Sequence, residues 1–271
     1  MQTKKSLQKL QTLNSHLTMK SLFSTKNQGY PYKLEKGKDG AIILNPLQQH
    51  KYSLIWMHGL GDSPASFVDL FMNRQYQLTP DHCKVILLQA PNRPVTMNGG
   101  YVMPSWYDIN IVKKQDMMSM ETLYNKYSQE EQEESYQTVR SILEEERTQN
   151  NIQPQNLYVG GFSQGCAMSI ATFLKYEFGV GGIIGLSGMN ALKFDISKIP
   201  AYEEKKKTNI WLYHGIDDNM IRIDIAKMSY EALRSKEHGF NVTFQEEEGL
   251  DHSLSQKELM LLKQHLHKQM V

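Results

Sequence analysis

The stretch LYVGGFSQGCAMSIATFLKY, residues 157–176, decides the fold of this chain. It begins with a short apolar run and ends with a helix-like segment, and GFSQG at 161–165 lies between them. A serine with glycines two positions before and after it can occupy a sharp strand-to-helix turn, because bulkier neighbours would collide with the backbone. The hydroxyl would then stand beside helix N-terminal amides that favour a developing negative charge. The pattern predicts that Ser163 is a nucleophile; the alternative is an ordinary serine in a glycine-rich connection.

The rest of the body alternates short apolar runs with amphipathic segments, which is typical of a mostly parallel sheet with helices on both faces. Core strands are predicted at 54–57, 85–89, 157–159, 183–186, 210–213 and 242–245, after a hairpin formed by 32–34 and 41–44. Capping boxes predict helices from Ser128 and from Ser255, and a third helix is expected at 224–236. The proline- and glycine-rich segment 90–121 is predicted to line the substrate site. Ligands of such sheets bind beyond the carboxyl ends of the strands, so chemistry is sought there.

Charge and composition narrow the class of protein. Residues 1–34 hold six lysines and no acid, which leaves 24 basic and 29 acidic residues in the rest of the chain. A mildly acidic body argues against nucleic-acid binding, and the run at 144–146 is expected to be a solvated acidic face. The two cysteines, Cys83 and Cys166, are too few for a disulfide framework or a thiolate metal site, which favours reduced, intracellular thiols. No apolar stretch approaches the roughly 18 residues of a membrane span.

The chain is predicted to consist of a lysine-rich extension, residues 1–30, and one domain, residues 31–271. The extension has leucines on one helical face and no acid, which are features of a transit peptide, although arginine is missing. A docking tail for a partner or transient contact with an anionic membrane surface are the alternatives. The reduced thiols favour a cytoplasmic location, and the transit-peptide features make a mitochondrial location the alternative.

A serine nucleophile needs a base to remove its proton and an acid to orient that base. On a sheet of this kind the expected chain order is serine, acid, histidine. HGIDDNMI at 214–221 follows one predicted strand, and GLDHS at 249–253 follows the next. The order therefore predicts His252 as the base and Asp217 or Asp218 as the acid. Their ordinary interpretation is a surface-loop histidine and turn or capping aspartates.

Two fixed hydrogen-bond donors should stabilise the charge on the carbonyl oxygen, each worth about 3 kcal/mol. The backbone amide of Gln164, directly after the nucleophile, is one candidate. The other is the amide of Leu60, in the loop HGLGD at 58–62 that follows an early strand. A metal site built on His58 and Asp62 would lack a third ligand of suitable spacing. His214 is interpreted as structural.

Together, HGLGD at 58–62, AP at 90–91 with RPVT at 93–96, PSWYD at 104–108, GFSQG at 161–165 and Gly249 with HS at 252–253 closely resemble the acyl-protein thioesterase family, also called lysophospholipase or carboxylesterase-like. The resemblance runs from about residue 52 to the C-terminus. It implies an α/β-hydrolase fold without a large cap domain, with Ser163, His252 and Asp218 as the triad and the amides of Leu60 and Gln164 as the oxyanion hole. It implies S-acylated proteins, lysophospholipids or small acyl esters as substrates, and no cofactor or metal.

This sequence departs from the family pattern in the acid loop, where Ile216 replaces the usual aspartate. An aspartate also precedes His252, where it could repel an anionic substrate. The acyl pocket is expected to use Trp106 and Met189 with Leu60. The leading hypothesis is a serine hydrolase of acyl thioesters or esters. A weak or inactive hydrolase fold that serves as a structural subunit is the second hypothesis, and a peptidase is the third.

Overall fold

The computed structural model describes residues 30–111 and 119–271. Within these ranges eight strands form one sheet in the order β1-β2-β4-β3-β7-β8-β9-β10, and β5 with β6 forms a separate two-stranded ribbon. The strands are β1 (Tyr32–Lys36), β2 (Ile42–Pro46), β3 (Tyr52–Met57), β4 (Cys83–Leu88), β5 (Asn92–Val95), β6 (Tyr101–Pro104), β7 (Leu157–Phe162), β8 (Gly182–Leu186), β9 (Asn209–Gly215) and β10 (Asn241–Glu247). β4, β3, β7, β8, β9 and β10 are parallel, and the β1–β2 hairpin joins them antiparallel through β2. All the predicted strands and the hairpin are confirmed.

Helices cover both faces of this sheet. The α-helices of the described residues are α1 (Val68–Met72), α2 (Met120–Tyr124), α3 (Gln129–Thr148), α4 (Gln164–Lys175), α5 (Tyr202–Lys205), α6 (Ile223–Arg234) and α7 (Gln256–Gln269). Side chains of β3 alternate between two cores, with Ile55 packing under α3, α4 and α6, and Trp56 packing under α1 and α7. This period of two is what a strand buried on both faces requires. The predicted fold, a mostly parallel sheet covered on both faces, is confirmed, and residues 30–111 and 119–271 contain no large cap.

The two predicted capping boxes have different outcomes. At α7, the Ser255 hydroxyl accepts from the Glu258 amide and Oε2 of Glu258 accepts from the Ser255 amide, so the reciprocal pair is complete. At α3, Ser128 caps the helix, but Glu131 does not reach back to it. Its carboxylate instead accepts from the Asp108 amide and lies 3.3 Å from the guanidinium of Arg93. The capping box predicted at Ser128 was wrong, because the Glu131 side chain binds partners outside its own helix. These contacts tie segment 90–111 to α3.

A buried polar cluster lies near the amino ends of β3 and β4. Glu146 of α3 is 1% exposed, and its carboxylate oxygens lie 2.6 Å from Lys84 Nζ, 2.6 Å from Ser53 Oγ and 3.0 Å from Asn150 Nδ2. The run at 144–146 is therefore not a uniformly solvated face, because its last member points into the protein while Glu145 stays exposed.

None of the described helices combines the length and the apolar character that a membrane crossing requires. The division into an extension at 1–30 and a domain at 31–271 stays a prediction, since residues 1–29 lie outside the described ranges. The same holds for the part of the predicted substrate-lining segment at 112–118.

Candidate active site

Ser163 occupies the turn between β7 and α4, with φ 56° and ψ −116°. A non-glycine residue in this backbone region costs on the order of 1–3 kcal/mol, so its surroundings must enforce the turn. They do, because the flanking glycines leave no room for a side chain. A Cβ on Gly165 would lie 2.1 Å from the Met57 carbonyl oxygen, and one on Gly161 would lie 2.5 Å from the Gly165 backbone. The Ser163 amide also donates to the Leu186 carbonyl at 2.8 Å.

Three side chains form a hydrogen-bonded chain at the carboxyl end of the sheet. The Oγ of Ser163 lies 2.9 Å from Nε2 of His252, and Nδ1 of His252 lies 2.7 Å from Oδ2 of Asp218. The serine follows β7, the aspartate follows β9 and the histidine follows β10. The topology thus brings together residues that are 34 and 89 positions apart in sequence. A Ser-His-Asp hydrogen-bonded chain of this form can activate the serine hydroxyl for attack on a carbonyl carbon.

Asp218 is buried, and all its acceptor positions are used. Oδ1 accepts from the amides of Met220 and Ile221 at 2.8 and 2.9 Å, while Oδ2 faces His252 and, at 3.3 Å, Nε2 of His214. Burial alone would raise the pKa of Asp218, but the hydrogen bonds from His214 and His252 outweigh it and hold the pKa well below its usual range. The group is therefore a carboxylate, which is the form that can orient an imidazole.

The neighbouring Asp217 has a different environment. Its side chain is exposed, and its backbone amide donates to the Leu250 carbonyl at 3.1 Å. That bond joins the acid loop to the loop that carries His252. Of the two aspartates left open by the sequence, Asp218 is the one next to His252.

His214, which the sequence predicts to be structural, contacts Asp218, and this contact is not among the predictions from the sequence. The ring is fully buried, and Nε2 lies 2.7 Å from the Ile221 carbonyl. A carbonyl only accepts, so Nε2 must carry the proton, which it also directs toward Asp218. The spacing in the sequence could have indicated this contact, because His214 lies at the end of β9 and Asp218 follows it by four residues in the next loop.

The loop at 58–62 lies against Ser163. A Cβ built on Gly59 would stand 3.2 Å from Cβ of Ser163, so the loop backbone and this serine are in contact here. Gly61 has φ 75°, which glycine adopts without strain, and its amide donates to the Pro104 carbonyl at 2.8 Å. Leu60 lies between these two glycines and is partly exposed. The amide of Gln164 is the first of α4, where no intrahelical acceptor is available.

His58 is a buried, neutral anchor of this loop. Its Nδ1 donates to the Gly59 carbonyl at 2.7 Å, and Nε2 accepts from the Ala90 amide at 3.1 Å and from Gln89 Nε2 at 3.2 Å. Burial lowers its pKa, which matches a ring with one donor and one acceptor nitrogen. Among the described residues, no three His, Cys, Asp or Glu side chains are grouped to hold a metal ion.

Two of the three predicted pocket residues, Trp106 and Met189, lie in the interior. Trp106 is 1% exposed and donates from Nε1 to the His58 carbonyl at 2.8 Å. Met189 is also buried, and its sulfur accepts from the Tyr127 hydroxyl at 3.4 Å. Contact of either side chain with a substrate stays a prediction.

A family model described as phospholipase/carboxylesterase matches residues 38–270, a range that contains every loop described above. The chain belongs to this family. Family members among the curated proteins include acyl-protein thioesterase 1 of Yarrowia lipolytica, 35% identical over 81% of this chain and 92% of its own length. A probable SOBER1-like carboxylesterase of Arabidopsis thaliana is 32% identical over 80% of this chain and 78% of its own length.

Solved structures agree with the family assignment. The crystal structure of Arabidopsis thaliana SOBER1 superposes with a TM-score of 0.66 at 30% identity, covering 82% of this chain and all of that one. Zea mays acyl-protein thioesterase 2 superposes with a TM-score of 0.67 at 24% identity, covering 85% of this chain and 99% of that one, and supports the fold. This phospholipase/carboxylesterase family member is therefore an α/β-hydrolase, and its class of activity is hydrolysis.

Proposed function

We propose that the protein hydrolyses acyl thioesters or esters through an acyl-enzyme formed on Ser163. The observation that carries the proposal is the unbroken hydrogen-bonded chain from Ser163 through His252 to the Asp218 carboxylate. The names of its relatives, acyl-protein thioesterase and carboxylesterase, support S-acylated proteins and small acyl esters as substrates. The family description adds phospholipids.

The first half of the reaction forms the acyl-enzyme. Ser163 Oγ attacks the carbonyl carbon while Nε2 of His252 takes its proton, and the carbonyl oxygen becomes an oxyanion. The amides of Leu60 and Gln164 donate to that oxygen, each contributing about 3 kcal/mol to transition-state stabilisation. The intermediate collapses as the bond to sulfur or oxygen breaks, and His252 gives its proton to the departing thiol or alcohol.

The second half restores the enzyme. Water attacks the acyl carbon, His252 takes one proton from that water, and a second oxyanion forms in the same position. Collapse breaks the bond to Ser163 Oγ, which recovers its proton from His252, and the carboxylic acid leaves. Asp218 stays ionised throughout, because it only holds the imidazole tautomer and stabilises the imidazolium.

The first experiment compares wild type with Ser163→Ala, using a fluorophosphonate probe and acyl thioesters of increasing chain length. We expect the variant to lose labelling and most turnover while it keeps the fold. Ser141→Ala is the matched control, since Ser141 is an exposed serine of α3 whose hydroxyl bonds only to its own helix. Labelling that survives in Ser163→Ala would overturn the assignment. A folded wild type that neither labels nor hydrolyses any ester would favour the structural-subunit hypothesis.

The adjacent aspartates offer a second test. Asp218→Asn keeps the size of the side chain but presents an amide to His252, which favours the wrong tautomer, so we expect kcat to fall by about 10⁴-fold. Asp217→Asn makes the same chemical change on an exposed side chain and should leave kcat within about twofold. Equal losses in the two variants would contradict the role proposed for Asp218.

A further inference from the structure

We propose that Trp106 is a positioning residue that fixes the spacing between the two oxyanion amides, those of Leu60 and Gln164. The inference rests on the function proposed above and concerns how its transition state is held. The two amides belong to different parts of the chain, one in the loop after β3 and one at the start of α4. Some contact must therefore set the distance between them.

Trp106 is bonded to both parts. Its indole Nε1 donates to the carbonyl of His58, two residues before Leu60, at 2.8 Å. Its backbone amide donates to the side-chain oxygen of Gln164 at 2.9 Å. One buried residue thus joins the loop of one oxyanion amide to the residue that carries the other.

The Gln164 side chain is committed to this connection. It is buried, and besides accepting from Trp106 it donates from Nε2 to the Tyr107 carbonyl at 2.7 Å. Its Nε2 also lies 3.2 Å from Ser105 Oγ. The amide therefore bonds three successive residues, 105–107, and holds this segment at the start of α4.

The segment is fixed on its other sides too. Pro104 accepts from the Gly61 amide at 2.8 Å, directly after Leu60. The Trp106 carbonyl accepts from the Ser135 hydroxyl at 2.5 Å, which ties the segment to the long helix α3. The loop with Leu60 is therefore held to a rigid part of the fold through Trp106 and Pro104.

This arrangement has a chemical consequence because an oxyanion donor helps only if it is already in place when the charge forms. Without the indole N–H, the buried His58 carbonyl loses a partner and the loop with Leu60 can shift. A shift of this kind weakens interactions made in the transition state, while the acyl chain binds as before. The loss should therefore appear in kcat and leave KM nearly unchanged.

The test is Trp106→Phe, which keeps an aromatic ring and removes the donor. We expect kcat to fall about 10-fold, less than the 10²–10³-fold for deleting a donor outright, with KM within about twofold. Trp56→Phe is the matched control, because Trp56 is also 1% exposed but its Nε1 has no acceptor among the described residues. Its kcat should stay within about twofold of wild type.

Ligand binding supplies an independent readout. A trifluoromethyl ketone forms an oxyanion adduct with the serine, while the methyl ketone of equal chain length serves as a ground-state match. We expect Trp106→Phe to weaken binding of the trifluoromethyl ketone by about the same 10-fold and to leave binding of the methyl ketone unchanged. If the loss lies in KM and both ketones weaken equally, Trp106 contacts substrate and the positioning role is overturned.

A second variant covers the case in which Trp106→Phe does not fold. Gln164→Met keeps the size of the side chain and the backbone amide but removes all bonds to 105–107. We expect the same loss confined to kcat, and a wild-type kcat would overturn the proposal. An inactive, unlabelled wild type would instead refute the proposed function itself, so the two failures can be told apart.

Discussion

Replacing Glu146 with alanine should destabilise the protein strongly, although this residue lies near the opposite end of the sheet from Ser163. The change removes one partner of a buried pair in which Lys84 Nζ stands 2.6 Å from the carboxylate and is itself only 13% exposed. It also removes the acceptor of the Ser53 hydroxyl at 2.6 Å. Breaking a buried pair by removing one partner costs about 3–5 kcal/mol, because the remaining charge is left without compensation.

A loss of about 4 kcal/mol is a large share of the roughly 5–15 kcal/mol by which most domains are stable. For a chain of this length it corresponds to a fall in Tm of about 8–16 °C. Urea unfolding followed by circular dichroism gives the free energy of unfolding directly. Glu145→Ala is the control, since Glu145 is the exposed neighbour on the same helix and should change stability by less than about 0.5 kcal/mol.

Two further measurements make the Glu146 prediction specific. Hydrolysis per folded molecule should be unchanged in Glu146→Ala, because the cluster lies near the amino ends of the strands and Ser163 lies at the carboxyl ends. Combining Glu146→Leu with Lys84→Met should recover much of the lost stability, since an apolar pair carries no uncompensated charge. A loss below about 1 kcal/mol in Glu146→Ala at an unchanged m-value would refute the reasoning.

Three other predictions follow from single contacts. Burial raises the pKa of Glu258 from its ordinary 4.5 to about 8, so the folded state keeps a proton that the unfolded chain releases. Stability should fall as pH rises from about 4.5 to about 8, by up to about 1.4 kcal/mol per pH unit. Glu258→Gln should remove most of this pH dependence from the urea midpoints, which are measured at pH 5, 7 and 9. Gly165→Ala places a methyl 2.1 Å from the Met57 carbonyl oxygen and should cost about 3 kcal/mol of stability, with loss of probe labelling. Full activity would contradict the close packing described for the turn at Ser163. His214→Phe removes a donor to Asp218 and should lower kcat about 10-fold, with His214→Gln restoring most of it; equal losses in both variants would make the ring, rather than its N–H, the important feature.

The parts of the site that follow strands could be predicted from the sequence. Ser163, Asp218 and His252 each come after a short apolar run, and the parallel sheet brings such positions to one edge. The glycines around Ser163 were informative for the same local reason, since they report the backbone of the turn itself. Asp217 and Asp218 could not be separated, because which of them reaches His252 depends on the path of a loop.

Long-range partners could not be predicted. Glu146 is part of a run of glutamates that looks solvated, and its burial depends on Lys84 from a distant strand. Glu131 has the spacing of a capping residue, yet Arg93 and the Asp108 amide engage its side chain. The sequence predicts Trp106 as a pocket residue but does not reveal that its indole N–H donates to the His58 carbonyl. In each case the partner comes from a distant part of the chain, which the local sequence pattern does not reveal.

The turn at Ser163 owes its shape to its neighbours and not to its own hydroxyl. The close approach of Gly161 and Gly165 to surrounding backbone sets the path of the chain, and an alanine would meet the same strain as the serine. Ser163→Ala should therefore keep the amides of Leu60 and Gln164 in place and still bind what it can no longer cleave. Under the proposed function, the variant is a capture reagent: substrates that bind it without being cleaved can be retained on the protein and identified.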